Sequence, residues 1–241
     1  HTDTKGLEAP IAPQANILGE KLSIEYADYS LISKVRSVNS NGDTCAILGD
    51  CTYHCTTPEI FASEMKFNKV DTFDVNGNST YKIDLNENIP DKFHNSYDWL
   101  IDSGTMYCCF DIATVFKNIT KMVKVGGFVL HTGNLSGFFG RGFYSLSPSL
   151  FIEFYEQNGF VVSAIGTRTK NNKNQWNIAD NSKGGTYLSR ASLEEMVFSS
   201  ESQNFIPFIP NDSMICCLVR KKENMKFTKP IPRHFIQTNG R

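Results

Sequence analysis

Tyr97-Asp98-Trp99-Leu100-Ile101-Asp102-Ser103-Gly104-Thr105 is followed by a helical stretch over residues 110–123, then by Lys124-Val125-Gly126-Gly127-Phe128-Val129-Leu130-His131, then by Gly140-Arg141-Gly142-Phe143-Tyr144-Ser145-Leu146-Ser147-Pro148-Ser149-Leu150-Phe151. An apolar strand ending in an acid, a helix and a second apolar strand make one right-handed βαβ unit, with Asp102 at the edge where such sheets bind ligands. The helix is predicted from Ile112, Val115, Phe116, Ile119, Met122 and Val123, a spacing of three and four that lays one apolar face on a sheet. Gly126-Gly127 is predicted to end it as a turn, and residues 128–131 to form a fifth strand.

The same alternation extends in both directions. Upstream, residues 31–38 suit a short helix stopped by Ser40-Asn41-Gly42, and Thr44–Leu48 is an apolar strand closed by Gly49-Asp50. Thr57-Pro58-Glu59 supplies a cap, a first-turn proline and an early acid, the start signature of a helix carrying Ile60, Phe61 and Met65. Strands follow over residues 70–75, ending near Asp74, and over residues 81–85, carrying Asp84, with the turn dipeptide Asn76-Gly77 between them. Downstream, Ser147-Pro148 caps a helix reaching Tyr155, Asn158-Gly159 stops it, and residues 160–165 and 214–219 are further strands. Repeated strand and helix with short connections implies an α/β fold: a doubly wound, mostly parallel sheet with helices on both faces and any ligand at the carboxyl ends of the strands. Residues 167–191, polar and rich in Asn, read as a long loop.

The 241 residues suffice for one sizeable core, so residues 21–222 are read as a single domain between an extended, Pro- and Gly-bearing arm over residues 1–20 and a tail over residues 223–241. Either arm could wrap a partner chain and so support a homo-oligomer. Lys plus Arg number 24 against 25 Asp plus Glu, a near balance that indicates no nucleic acid or anionic membrane partner. Seven cysteines, an odd count with adjacent pairs at Cys108-Cys109 and Cys216-Cys217, suit reduced thiols and a cytoplasmic location rather than a disulfide framework. Cys51, His54 and Cys55 lack the second pair of ligands of a structural zinc site, so no metal is expected. No apolar run approaches the ~20 residues of a membrane span, and no signal peptide is visible, although the first residue is His rather than Met.

Over residues 44–166 the sequence resembles the class I methyltransferases that use S-adenosylmethionine, and within them a bacterial branch often found beside sugar and surface-polysaccharide genes. The resemblance rests on Ile83-Asp84-Leu85-Asn86 with Ile89-Pro90, Ile101-Asp102-Ser103-Gly104-Thr105, Val125-Gly126-Gly127, Gly142-Phe143-Tyr144 and Ser147-Pro148-Ser149-Leu150-Phe151. It implies S-adenosylmethionine as cofactor, with Gly49 letting the first strand's turn approach the methionine part, Asp74 accepting the ribose hydroxyls, Asp84 beside the adenine, and Asp102 and Gly104 at the fourth strand's end facing the sulfonium or a substrate hydroxyl. Gly49 is a single glycine where the commoner pattern has three, so the glycine-rich turn is degenerate. Phe143 and Tyr144 would shape an acceptor pocket, and Arg141 would meet an anionic acceptor such as a phosphorylated sugar.

Related sequences carry Glu-His where this chain has Tyr107-Cys108, and a His where it has Arg141, so the family's acid-base groups are replaced. His131, beside Asp102, is then the candidate base, and a satisfied structural histidine is an equal alternative. An acid at the end of a parallel strand is equally a helix cap or loop anchor, and aromatic residues ahead of a helix, Phe151 among them, are commonly core. Two functions follow: methyl transfer to an oxygen or nitrogen of a small, sugar-like acceptor, or a catalytically inactive methyltransferase fold kept as a binding or assembly module. A nicotinamide oxidoreductase is disfavoured, because Asp50 after Gly49 puts an acid where pyrophosphate would sit.

Overall fold

A computed structural model describes residues 26–38, 42–49, 57–75, 78–138, 140–169, 177–180 and 213–232. The elements, in chain order, are α1 (Tyr26–Val38), β1 (Thr44–Leu48), α2 (Pro58–Met65), β2 (Lys69–Asp74), β3 (Tyr81–Lys82), β4 (Tyr97–Ser103), α3 (Ile112–Met122), β5 (Val123–Ser136), α4 (Pro148–Glu156), β6 (Phe160–Thr169), β7 (Asn177–Asp180) and β8 (Ser213–Lys221). The strands form one sheet in the order β3-β2-β1-β4-β5-β8-β6-β7. β1 to β5 pair in parallel, β8 runs antiparallel between β5 and β6, and β7 is antiparallel at the far edge. The doubly wound, mostly parallel α/β sheet expected from the alternation is the observed fold.

Period-two alternation within the buried strands explains why helices cover both faces. Cys45, Ile47, Trp99, Ile101, Phe128 and Leu130 point to one face, where they pack with Phe61 and Met65 of α2 and Leu31 and Ile32 of α1. Ala46, Leu48, Leu100 and Val129 point to the other, against Val115, Phe116 and Ile119 of α3 and Phe151, Phe154 and Tyr155 of α4. Thr57 caps α2, its hydroxyl accepting the Ile60 N–H, with Pro58 in the first turn as its sequence signals. α3 is capped by Asp111, whose carboxylate accepts the Thr114 N–H.

Three sequence expectations are corrected. Gly126-Gly127 does not end a helix: α3 passes directly into β5, and the glycines lie in a bulge where Tyr97 pairs with Val123 but Trp99 with Phe128. Gly126 is left-handed at φ 88°, a conformation that favours glycine, and a Cβ on Gly127 would stand 2.8 Å from the Asp98 carbonyl oxygen, so the close strand approach requires Gly127. β3 is only two residues long because β2, its one partner, ends at Asp74, which leaves Asp84 in the following turn. Residues 167–169 and 177–180 are strand rather than loop, made so by pairing of β6 with β8 and with β7 and not by local apolar periodicity. Residues 1–20, Asp50, the Cys51-His54-Cys55 group, Asn76-Gly77, the remainder of residues 167–191 and residues 233–241 lie outside the described residues.

Candidate active site

β1 and β4 lie side by side, yet the chain leaves β1 toward β2 and leaves β4 toward β5 on the opposite side, which opens a crevice at their carboxyl ends. Gly49 closes β1 in a left-handed conformation, φ 103°, with its N–H donating to the Phe73 carbonyl at 2.7 Å. The Thr105 hydroxyl donates to the Leu48 carbonyl at 2.8 Å, tying the end of β4 to the end of β1. Gly104 is also left-handed, φ 91°, and its N–H donates to Thr132 of β5 at 3.0 Å. Asp74 ends β2 on the Gly49 side, and its carbonyl accepts the Ile83 N–H at 2.9 Å. Asp84 is exposed, and one carboxylate oxygen accepts both the backbone and the side-chain N–H of Asn86 at 2.8 Å in a local turn.

Asp102 and His131 are brought together, but inside the protein. They are 1% and 0% exposed, and Asp102 Oδ2 meets His131 Nδ1 at 2.9 Å. Asp102 Oδ1 accepts the backbone N–H groups of Thr105 and Met106, each at 3.0 Å, and His131 Nε2 meets the hydroxyl of Tyr155, itself 0% exposed. Neither residue therefore stands at the crevice surface where the strand-end argument had placed it. Sequence reasoning missed Tyr155, which shares no local pattern with His131. It also missed Asp28 of α1, whose Oδ2 accepts the Ser103 hydroxyl at 2.9 Å and the Thr132 hydroxyl at 2.8 Å across the β4 and β5 ends.

Arg141, Phe143 and Tyr144 occupy the segment between β5 and α4, which is held on the short 3₁₀ turn Met106–Cys108. The Tyr107 carbonyl accepts the N–H groups of Phe143 at 2.8 Å and Tyr144 at 3.3 Å, and the Asn134 amide donates to the Arg141 carbonyl at 3.0 Å. Gly142 is needed there: at φ 98°, a Cβ would fall 2.5 Å from Tyr107 Cδ2 and 2.8 Å from its carbonyl oxygen. The arrangement displays Phe143, 65% exposed, edge-on to Phe110, 72% exposed, with centroids 5.6 Å apart. The Tyr144 hydroxyl donates to the Phe110 carbonyl at 2.7 Å. Phe151, by contrast, is fully buried core. Burial and the proximity of Asp102 push the Cys109 thiol up to about 12, and the same two causes raise exposed Cys108, so neither is a thiolate nucleophile at neutral pH. Among the described residues no cluster could hold a metal ion, and no helix is long and apolar enough to cross a membrane.

No protein-family model matches the sequence, and no curated protein matches it. Solved structures share the fold at low identity. The Haemonchus contortus phosphoethanolamine N-methyltransferase 2, solved with phosphomonomethylethanolamine and S-adenosylhomocysteine, is 14% identical with a TM-score of 0.51, over 83% of this chain and 55% of that one. The N-methyltransferase NodS of Bradyrhizobium japonicum, solved with S-adenosylhomocysteine, is 9% identical with a TM-score of 0.49, over 83% of this chain and 89% of that one. The sheet described above is thus a fold that this chain shares with the Haemonchus contortus enzyme.

Proposed function

We propose that this protein is an S-adenosylmethionine-dependent methyltransferase acting on an oxygen or nitrogen of a small, sugar-like acceptor. The observation that carries the reading is the pair of left-handed glycines, Gly49 and Gly104, at the carboxyl ends of the two strands that flank the switch point. A backbone without side chains at both strand ends fits a cofactor that must lie close to it. Gly49 would take the methionine part, Asp74 the ribose hydroxyls, Asp84 the adenine side and Gly104 the sulfonium side. When bound, the cofactor would supply an electrophilic methyl on its sulfonium sulfur, open to in-line attack by an acceptor oxygen or nitrogen with S-adenosylhomocysteine as leaving group and the acceptor's proton lost to water. The protein's share is chiefly alignment, which can supply much of such a rate without a strong base. Arg141 would meet an anionic group on the acceptor, with Phe143, Tyr144 and Phe110 offering ring faces to its carbon surface. The free thiols Cys45, Cys108, Cys109, Cys216 and Cys217 support a reducing, cytoplasmic setting.

One observation favours the second reading, an inactive binding or assembly module: both candidate acid-base residues, Asp102 and His131, are buried and engaged with each other. Titration calorimetry with S-adenosylhomocysteine and S-adenosylmethionine tests the first reading. Saturable heat with either ligand is expected, and its absence with both would overturn it.

A further inference from the structure

Beneath the crevice, three polar side chains from three elements join end to end: Tyr155 of α4, His131 of β5 and Asp102 of β4. All are at most 1% exposed, and the imidazole is walled by the rings of Phe116 and Phe151, with centroids 6.1 and 5.1 Å away. Burying three such groups is costly unless their hydrogen bonds are made, so the chain is an expensive way merely to fill space.

Its direction follows from the partners. Burial, with the nearby Cys217 and Asp102, raises the Tyr155 phenol well above its ordinary value, so the O–H keeps its proton. His131 is the one hydrogen-bond partner of that hydroxyl among the described residues. The hydroxyl proton is satisfied only if it is donated to Nε2. The ring proton then sits on Nδ1 and is donated to Asp102 Oδ2, while Asp102 Oδ1 takes the Thr105 and Met106 N–H groups. Those residues belong to the turn that carries Gly104 and, through the Thr105 hydroxyl, grips Leu48 next to Gly49.

We propose that Asp102, His131 and Tyr155 are positioning residues that set the turn over residues 103–106, and through it the cofactor side of the crevice, with His131 held as the Nδ1–H tautomer. The effect on ligand affinity rests on the methyltransferase reading; the effect on the turn does not. The relay also anchors α4, which begins just after the segment bearing Arg141, Phe143 and Tyr144, so cofactor and acceptor sides share one internal brace.

Two isosteres separate positioning from general packing. In His131→Asn the side-chain amide reaches the place of Nδ1 and can still donate to Asp102; in His131→Gln it reaches the place of Nε2 and meets Tyr155 instead. By calorimetry, His131→Gln is expected to weaken S-adenosylhomocysteine binding by about thirtyfold and His131→Asn to recover most of that loss, to within about threefold of the parent. Tyr155→Phe, which keeps the ring, is expected to weaken it about threefold to tenfold by releasing the tautomer. Amide exchange at Thr105 and Met106 should quicken in His131→Gln and far less in His131→Asn, and nitrogen NMR should show the Nδ1–H tautomer in the parent. An Nε2–H tautomer in the parent, or equal exchange and equal affinity in the two isosteres, would overturn the relay. A parent that binds no S-adenosylhomocysteine yet shows the tautomer and the exchange contrast would overturn the methyltransferase reading and leave the brace standing.

Discussion

Asp98 does at the amino ends of the strands what Asp102 does at the carboxyl ends. Its Oδ2 accepts the N–H groups of Asp43 and Thr44 at 3.0 and 3.1 Å and the Thr44 hydroxyl at 2.8 Å, while Oδ1 takes the Lys124 ammonium at 2.9 Å. One carboxylate therefore gathers the starts of β1, β4 and β5. Burial alone would raise its pKa, but the Lys124 and Thr44 hydrogen bonds and the backbone donors outweigh it and hold the group at about 2. Because the folded value lies below the unfolded one near 4, the unfolded chain binds more protons between them, and the stabilisation present at neutral pH is lost as pH falls through that window. Asp98→Asn should cost on the order of 1–2 kcal/mol at pH 7, discounted for partial exposure, and should flatten the acid limb of a stability curve measured by urea unfolding from pH 6 to about 2. A limb as steep as the parent's would reject this role. In the sequence Asp98 is one acid among 25, with nothing local to distinguish it.

At the scale of elements, α3 shows how far apolar periodicity reaches. Its spacing places Val115, Phe116, Ile119 and Met122 in the core, as expected, but it is silent about Asn118, a buried polar residue on the same face. Asn118 Oδ1 accepts the Ile89 N–H at 2.9 Å, and its Nδ2 donates to the carbonyls of Leu85 and Glu87 at 3.2 and 2.7 Å. The helix thus holds the segment that follows Asp84, which has almost no strand pairing of its own. Asn118→Leu would leave two buried backbone groups, the Ile89 N–H and the Leu85 carbonyl, and the partly buried Glu87 carbonyl without their partner, and should destabilise the protein by about 3 kcal/mol, read as a shift in the urea midpoint without a change in slope. A loss under about 1 kcal/mol would mean that the segment is held by other contacts.

At the scale of the whole molecule, the described segment after β8 packs back on the sheet's helical layer. After β8 the chain turns back along the end of α4, where two side-chain amides act as a short strand for it. Asn158 donates to the Thr228 carbonyl at 2.9 Å and accepts the Thr228 N–H at 2.8 Å, and Gln157 does the same for Ile231 at 2.9 and 3.1 Å. As far as Pro232 the tail therefore lies on its own domain. Asn158→Ala should speed exchange of the Thr228 amide while leaving amides in the centre of β5 protected, because the strap is local and the sheet is not. Uniformly faster exchange throughout would show that the strap instead supports the whole fold.

Sequence alone determined the strand and helix alternation, the cap at Thr57 with Pro58 in the first turn, the two helical layers and the edge of the sheet at which Gly49, Asp74, Asp102 and Gly104 gather. Each of these follows from local chemistry: apolar period, cap geometry and the handedness of βαβ crossovers. Only the tertiary structure decided that Gly126-Gly127 is a bulge, that Asp102 and His131 turn inward to Tyr155, and that Phe110 and Phe143 stand outward together. Those outcomes depend on pairings between residues distant in sequence, 24 apart for His131 and Tyr155, which no local pattern encodes. Packing decides them, since a buried polar group must find its partner wherever the fold puts one.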